Sequence, residues 1–134
     1  MSTIDKITAA EELFTELTPE QGAMVEGGLF IFIDKIQSIK AGADFIGKDD
    51  TYMTINGNKI WGDKSFSTGQ TRGVNLGTST DGSFARVELF DKDGFLNRDD
   101  RMGGFTAYNT FGSLQRARVS GSGSIYDIYY RAFA

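Results

Sequence analysis

The sequence predicts an all-β fold in which eight short antiparallel strands pack as a sandwich behind a short helical N-terminal segment. Three observations carry this. Seventeen glycines against one proline, with 13% aromatic residues, describe aromatic segments cut by turns. In the clearest segments apolar and polar residues alternate with a period of two, as in a sheet with one buried and one solvated face. The composition also breaks at Gly27-Gly28, where Ala, Glu, Leu and Thr give way to strand-forming residues. With 134 residues in all, one domain with its own core follows the break. The chain therefore divides into 1–28 and 29–134.

Residues 1–28 read as helix. Thr8-Ala9-Ala10-Glu11 and Thr18-Pro19-Glu20-Gln21 both have capping-box spacing, the second with proline at the first helical position. Gly27-Gly28 ends the helix. Strands are expected over approximately 29–40, 51–56, 59–66, 71–76, 84–91, 103–109, 114–120 and 124–133. Asn56-Gly57-Asn58 marks a tight turn, and Gly121-Ser122-Gly123 turns the last hairpin. Ala85, Val87 and Leu89 alternate with Arg86 and Glu88, so that strand has one buried face. Eight short strands separated by turn signals suit an antiparallel sandwich. No strong helix is expected after residue 28, which argues against a parallel α/β sheet. Trp61 and Tyr52 are read as core or edge residues.

Composition narrows the function. The chain has no cysteine and no histidine, so it offers no disulfide, no thiolate nucleophile and no imidazole base or ligand. Ser65, Ser67, Thr68 and Lys64 stand without a partner for a catalytic triad, so no enzyme is expected. A net charge of −4 argues against nucleic acid as partner. The longest apolar run, Leu29-Phe30-Ile31-Phe32-Ile33, falls far short of the roughly 20 residues of a membrane helix. The N-terminus also lacks the basic and apolar regions of a secretory signal.

Two aspartate-rich stretches carry the functional signal. One runs Asp44-Phe45-Ile46-Gly47-Lys48-Asp49-Asp50-Thr51-Tyr52, the other Asp91-Lys92-Asp93-Gly94-Phe95-Leu96-Asn97-Arg98-Asp99-Asp100-Arg101-Met102-Gly103. Each follows a predicted strand, so each is expected on a loop at a strand end. Two like charges about 4 Å apart repel by on the order of 4 kcal/mol at an effective dielectric near 20. A converging cluster needs protons or a cation, and oxygen ligands alone point to calcium. The second stretch is not an EF-hand, because Leu96 and Met102 occupy the positions of its required glycine and glutamate. Aspartate is also a common turn residue, so turn capping is the competing account. Asp63 and Asp81 read as turn residues away from the cluster.

The spacing of these stretches resembles the C2 domain, the calcium-dependent lipid-binding β-sandwich. Asp44, Gly47, Asp50 and Tyr52 match its first calcium loop in register, with Asp49 and Thr51 in place of the usual Ser and Pro. Asp91, Asp93, Asp100 and Gly103 match its third, with one extra residue in the spacer. Asp99 keeps the shorter spacing, so either Asp99 or Asp100 is the ligand. The resemblance covers approximately residues 29–134. It implies calcium held by Asp44, Asp50, Asp91, Asp93 and Asp99 or Asp100. It also implies that Phe45, Ile46, Phe95 and Leu96 at the loop tips touch a membrane or partner, unless they fold back on the sandwich rim.

Leu17-Thr18-Pro19-Glu20-Gln21-Gly22-Ala23-Met24-Val25-Glu26-Gly27-Gly28 resembles the double-glycine leader peptides of bacteriocin-type exported bacterial proteins. Phe14, Leu17 and Val25 fall where that family docks on a peptidase-containing ABC transporter, which cuts after the second glycine, here Gly28. Gly22 stands where the family has an apolar residue, and an ordinary capped helix is the competing account. The resemblance implies a secreted or cell-surface bacterial protein. Together these readings give an exported, non-catalytic calcium module that docks on a membrane, glycan or protein. The alternative is a self-assembling structural subunit of a bacterial surface or extracellular assembly, stabilised by calcium or by strand-edge pairing.

Overall fold

A computed structural model describes residues 28–42, 48–92 and 98–134 of the chain. Eight strands follow one another: β1 Leu29–Lys40, β2 Lys48–Ile55, β3 Asn58–Ser67, β4 Thr71–Thr80, β5 Phe84–Asp91, β6 Asp100–Tyr108, β7 Gln115–Gly121 and β8 Ser124–Phe133. They form two four-stranded sheets of order β4-β1-β8-β7 and β3-β2-β5-β6, with every pairing antiparallel. This is the expected eight-stranded sandwich. The helix expected over 1–28 falls on residues that lie, except for Gly28, outside the described part.

Alternation along each strand fills the space between the sheets. β1 contributes Leu29, Ile31, Ile33 and Ile36, and β5 contributes Ala85, Val87 and Leu89. Met53, Phe66, Met102, Tyr126 and Ile128 close the core, and Trp61 packs half-buried against it. β1 keeps one face inward across a register shift between Ile33 and Lys35, where Asp34 is the extra residue against β8 and β4 carries the extra residue against β1.

Three strand ends differ from the sequence reading by three residues or more, and two of these differences bear on the site. β2 begins at Lys48, so Asp49 and Asp50 lie in a strand and not on the expected loop. β6 begins at Asp100, and β4 continues to Thr80. Backbone pairing overrides the low strand propensity of aspartate here. Asp50 sits opposite Ser65, and Asp91 opposite Asp100. Asp63 is a second correction. It lies within β3, not in a turn, and its carboxylate pairs with Lys59 at 2.8 Å and with Lys92 at 3.2 Å. Asp81 does occupy the β4–β5 turn.

Where β6 and β7 join the two sheets, the backbones come too close for side chains. Gly103 has φ +109°, and a Cβ there would lie 2.5 Å from the Ser120 carbonyl oxygen. A Cβ on Gly121 would lie 2.8 Å from the Arg101 carbonyl oxygen.

Candidate functional site

The candidate site is one end of the sandwich, where β1 hands over to β2 and β5 to β6. The inward alternation of β5 runs Ala85, Val87, Leu89 and then Asp91, so a carboxylate takes the last core position and is only 1% exposed. Asp91 Oδ1 accepts a hydrogen bond from the Asp50 amide at 2.6 Å, and the Lys92 amide donates to the Asp50 carbonyl at 2.8 Å. These bonds lock the start of β2 to the end of β5. Adjacent strands lie about 4.8 Å apart. The pairing therefore brings Asp50, Asp91 and Asp100 to the same end of three neighbouring strands, with Asp100 opposite Asp91. Thr51, not Asp50, stands opposite Asp91, so Asp50 is exposed on the outer face while Asp91 points inward.

Asp99 is engaged differently. The Tyr52 hydroxyl donates to Asp99 Oδ2 at 2.5 Å, while the Tyr52 ring stacks on Phe90 with centroids 5.2 Å apart and Lys59 Nζ lies 4.9 Å from its centre. Partial burial, the Asp99 hydrogen bond and the nearby charges of Asp99 and Asp63 push the Tyr52 phenol up to about 12, so it is a donor at neutral pH. The hydrogen bond and charge of Lys59, followed by Lys92, hold the Asp63 carboxyl below the ordinary aspartate range.

Beneath this end lies a buried polar layer. Asp49 is 1% exposed. Its Oδ2 accepts from Tyr126 Oη at 2.6 Å and from Ser124 Oγ at 2.8 Å, and Thr51 Oγ1 lies 3.0 Å from Tyr126 Oη. Burial and the Asp49 carboxylate push the Tyr126 phenol well above its ordinary value. The layer ties β2 of one sheet to β8 of the other, and Ser124 Oγ also accepts from the Gly42 amide at 3.0 Å at the start of the first loop. Sequence reasoning treated Asp49 only as a substitute for serine. Strand alternation was the available signal, since only one of the adjacent Asp49 and Asp50 can face outward.

Of the expected ligands, Asp50, Asp91, Asp99 and Asp100 lie at this end, whereas Asp44 and Asp93 lie outside the described residues. So do the tip residues Phe45, Ile46, Phe95 and Leu96, and Phe14, Leu17, Val25 and Gly27 of the N-terminal segment. Gly28 is described and stands directly before β1. Among the described residues, no group of three or more acidic side chains is drawn together tightly enough to hold an ion. The reason is visible in the geometry: Asp99 is turned to Tyr52 and Asp49 to Tyr126. The donors at the strand ends are all hard carboxylate oxygens, which suits calcium and not a softer transition metal.

No family profile matches the chain, and no curated protein matches it. Solved structures do match. A structure described as a C2 domain aligns with a TM-score of 0.54 at 15% identity, covering 80% of this chain and 98% of that one. A C2 domain of plant Extended Synaptotagmin 1 aligns at 0.50 and 9% identity, covering 80% and 94%. Extended-Synaptotagmin 2, in a structure of two of its C2 domains, aligns at 0.54 and 21% identity; the match covers 80% of this chain and 40% of that longer chain. The fold is a C2-like β-sandwich.

Proposed function

We propose that this chain is a non-catalytic calcium-binding module that docks on a membrane, glycan or protein partner through its aspartate loops. The observation that supports it is the arrival of Asp50, Asp91 and Asp100 at one end of the sandwich from three adjacent strands. In this reading Asp44 and Asp93 of the flanking loops complete the ligand set. Asp100, opposite Asp91, is the ligand, and Asp99 serves Tyr52. Bound calcium would neutralise the carboxylates and offer open positions to an anionic group of the partner. The chain's own part is to hold the strand ends in register, through the Asp50–Asp91 bond and the Asp49 layer. Phe45, Ile46, Phe95 and Leu96 are the contact residues of this reading.

Calorimetric titration of the full chain with calcium, with magnesium as control, tests it. Saturable calcium binding supports the module. No heat and no change in melting temperature up to millimolar calcium would leave the aspartates as turn and strand-end residues. The N-terminal segment is in this reading an export leader recognised by a peptidase-containing ABC transporter. Mass spectrometry after co-expression with such a transporter is expected to show cleavage after Gly28, and an intact chain would sink that part.

A second reading, a self-assembling structural subunit, draws on the opposite end of the sandwich. There Phe84 and Tyr108 pair with ring centroids 6.0 Å apart, and Phe111 is 86% exposed. Sedimentation with calcium and in chelator separates the two, since the docking module stays monomeric in both.

A further inference from the structure

The outer face of the β4-β1-β8-β7 sheet is apolar at one end, where a solvent-facing sheet is normally polar. With Leu29, Ile31 and Ile33 in the core, alternation turns Phe30 and Phe32 outward, and likewise Phe133 on β8. Phe30 and Phe133 are cross-strand partners with ring centroids 6.5 Å apart. The Phe30 ring leans over β4, where a Cβ on Gly77 would meet it at 2.6 Å. Phe32 is only 6% exposed, yet its cross-strand neighbours are Gly77, which has no side chain, and Arg131. In-sheet neighbours of that kind do not by themselves account for so little exposure, so a further layer belongs over the ring.

The chain supplies a candidate at the right place. Gly28 sits so tightly against β4 that a Cβ would collide with the Thr80 carbonyl oxygen. β1 therefore starts at the end of the sheet that carries the Phe30–Ser79 pair, within reach of a segment that precedes Gly28. Residues 18–27 reach about 15 Å as helix or at most about 33 Å extended, against about 40 Å for the twelve residues of β1. Residues 10–17 can thus lie over the first half of β1. At helical spacing Ala10, Leu13, Phe14 and Leu17 form one apolar stripe.

Charge agrees with the placement. Residues 1–27 carry six carboxylates and one lysine, a net −5, whereas the rest of the chain carries a net +1. On the outer face stand Lys35, whose Nζ lies 4.9 Å from the Tyr129 ring centre, and Arg118, paired with Asp127. Arg116 and Arg131 share that face.

We propose that the N-terminal segment folds back in cis onto this face. Its stripe of Ala10, Leu13, Phe14 and Leu17 covers Phe30, Phe32 and Phe133, and its acidic residues face Lys35, Arg118 and Arg131. Phe14 and Leu17 are also the residues that the leader reading gives to a transporter. The sandwich and an external receptor then compete for one apolar surface, and release from the sheet precedes recognition. The proposal does not depend on calcium.

The chain has no cysteine, so Lys35→Cys gives a single attachment point for a spin label in the full-length protein. The expected result is selective broadening of the amide resonances of residues 9–17. It should be lost in the Phe14→Ser/Leu17→Ser double variant, while the resonances of the sandwich keep their positions. Ser79→Cys, exposed on β4 beside Phe30, is the second labelling site, should loss of Lys35 disturb the sheet. Absence of selective broadening from both sites overturns the proposal. So does broadening that survives the double variant. A mixture of spin-labelled and isotope-labelled chains is expected to show none, and equal broadening there would assign the face to a second copy.

Discussion

Asp91 has two separable jobs in this structure, and two substitutions separate them. Its Oδ1 receives the Asp50 amide at 2.6 Å in a nearly closed environment, and its charge belongs to the proposed calcium site. Asp91→Ala removes both; Asp91→Asn keeps an oxygen for the amide and removes the charge. A hydrogen bond to a charged acceptor contributes about 1.5–3 kcal/mol, and an unsatisfied buried donor adds to the loss. Asp91→Ala is therefore expected to lower stability in chelator by about 2–3 kcal/mol, whereas Asp91→Asn costs under about 1 kcal/mol. For a domain of this size, about 4 °C of melting temperature corresponds to each kcal/mol, so the two differ by roughly 4–12 °C. Calcium at a hundred times its dissociation constant stabilises the wild type by about 2.7 kcal/mol, or roughly 10 °C. Both variants should lose that rise. Thermal melts of all three proteins, in chelator and in calcium, read both effects. A full calcium-dependent rise in Asp91→Asn would place the ion elsewhere. Equal losses for Asn and Ala in chelator would show that the hydrogen bond is not what Asp91 contributes.

Three further outcomes are expected. Tyr126→Phe deprives Asp49 and Thr51 of a buried partner and should cost about 2 kcal/mol in urea unfolding; a shift under about 0.5 kcal/mol would mean that the polar layer rearranges at no cost. Gly103→Ala puts a Cβ 2.5 Å from Ser120 in a left-handed conformation and should destabilise by roughly 1–3 kcal/mol, whereas a neutral effect would show that the β6–β7 corner yields. The third concerns acid stability. Arg118 donates to both oxygens of Asp127 at 2.8 and 3.0 Å and holds its carboxyl below the ordinary value of 3.8. A lowered carboxyl contributes stability above that ordinary value and loses it as pH falls through the lowered one. Arg118→Gln should therefore flatten the loss of urea midpoint below pH 3.8, and an unchanged acid limb would remove the pair from the acid response.

Much of the fold was legible because its signal is local. Each strand announces itself through two-residue alternation, and the turns through glycine and asparagine, so all eight strands were located before any pairing was known. The ends were less legible, since β2 and β6 extend through aspartates that only ladder partners hold in strand form. Asp63 reads as a turn residue although it falls inside the expected strand 59–66; what the sequence neighbourhood does not foretell is that β3 passes beside Lys92. Asp50, Asp91 and Asp100 were visible as candidates because their spacing was sufficient, but their order across the sheet was not.

Asp49 shows where the boundary falls. Alternation along one strand dictates that of two adjacent aspartates one turns inward, and this follows from backbone geometry alone. Whether an inward carboxylate is tolerable depends on what the opposite sheet presents, and Tyr126 and Ser124 lie more than seventy positions away. The same division holds for the whole chain. Composition and periodicity settle secondary structure, because they act over a few residues. Tertiary packing alone decides which distant hydroxyl satisfies a buried charge, which of Asp99 and Asp100 stands opposite Asp91, and which outer face carries the aromatic rings.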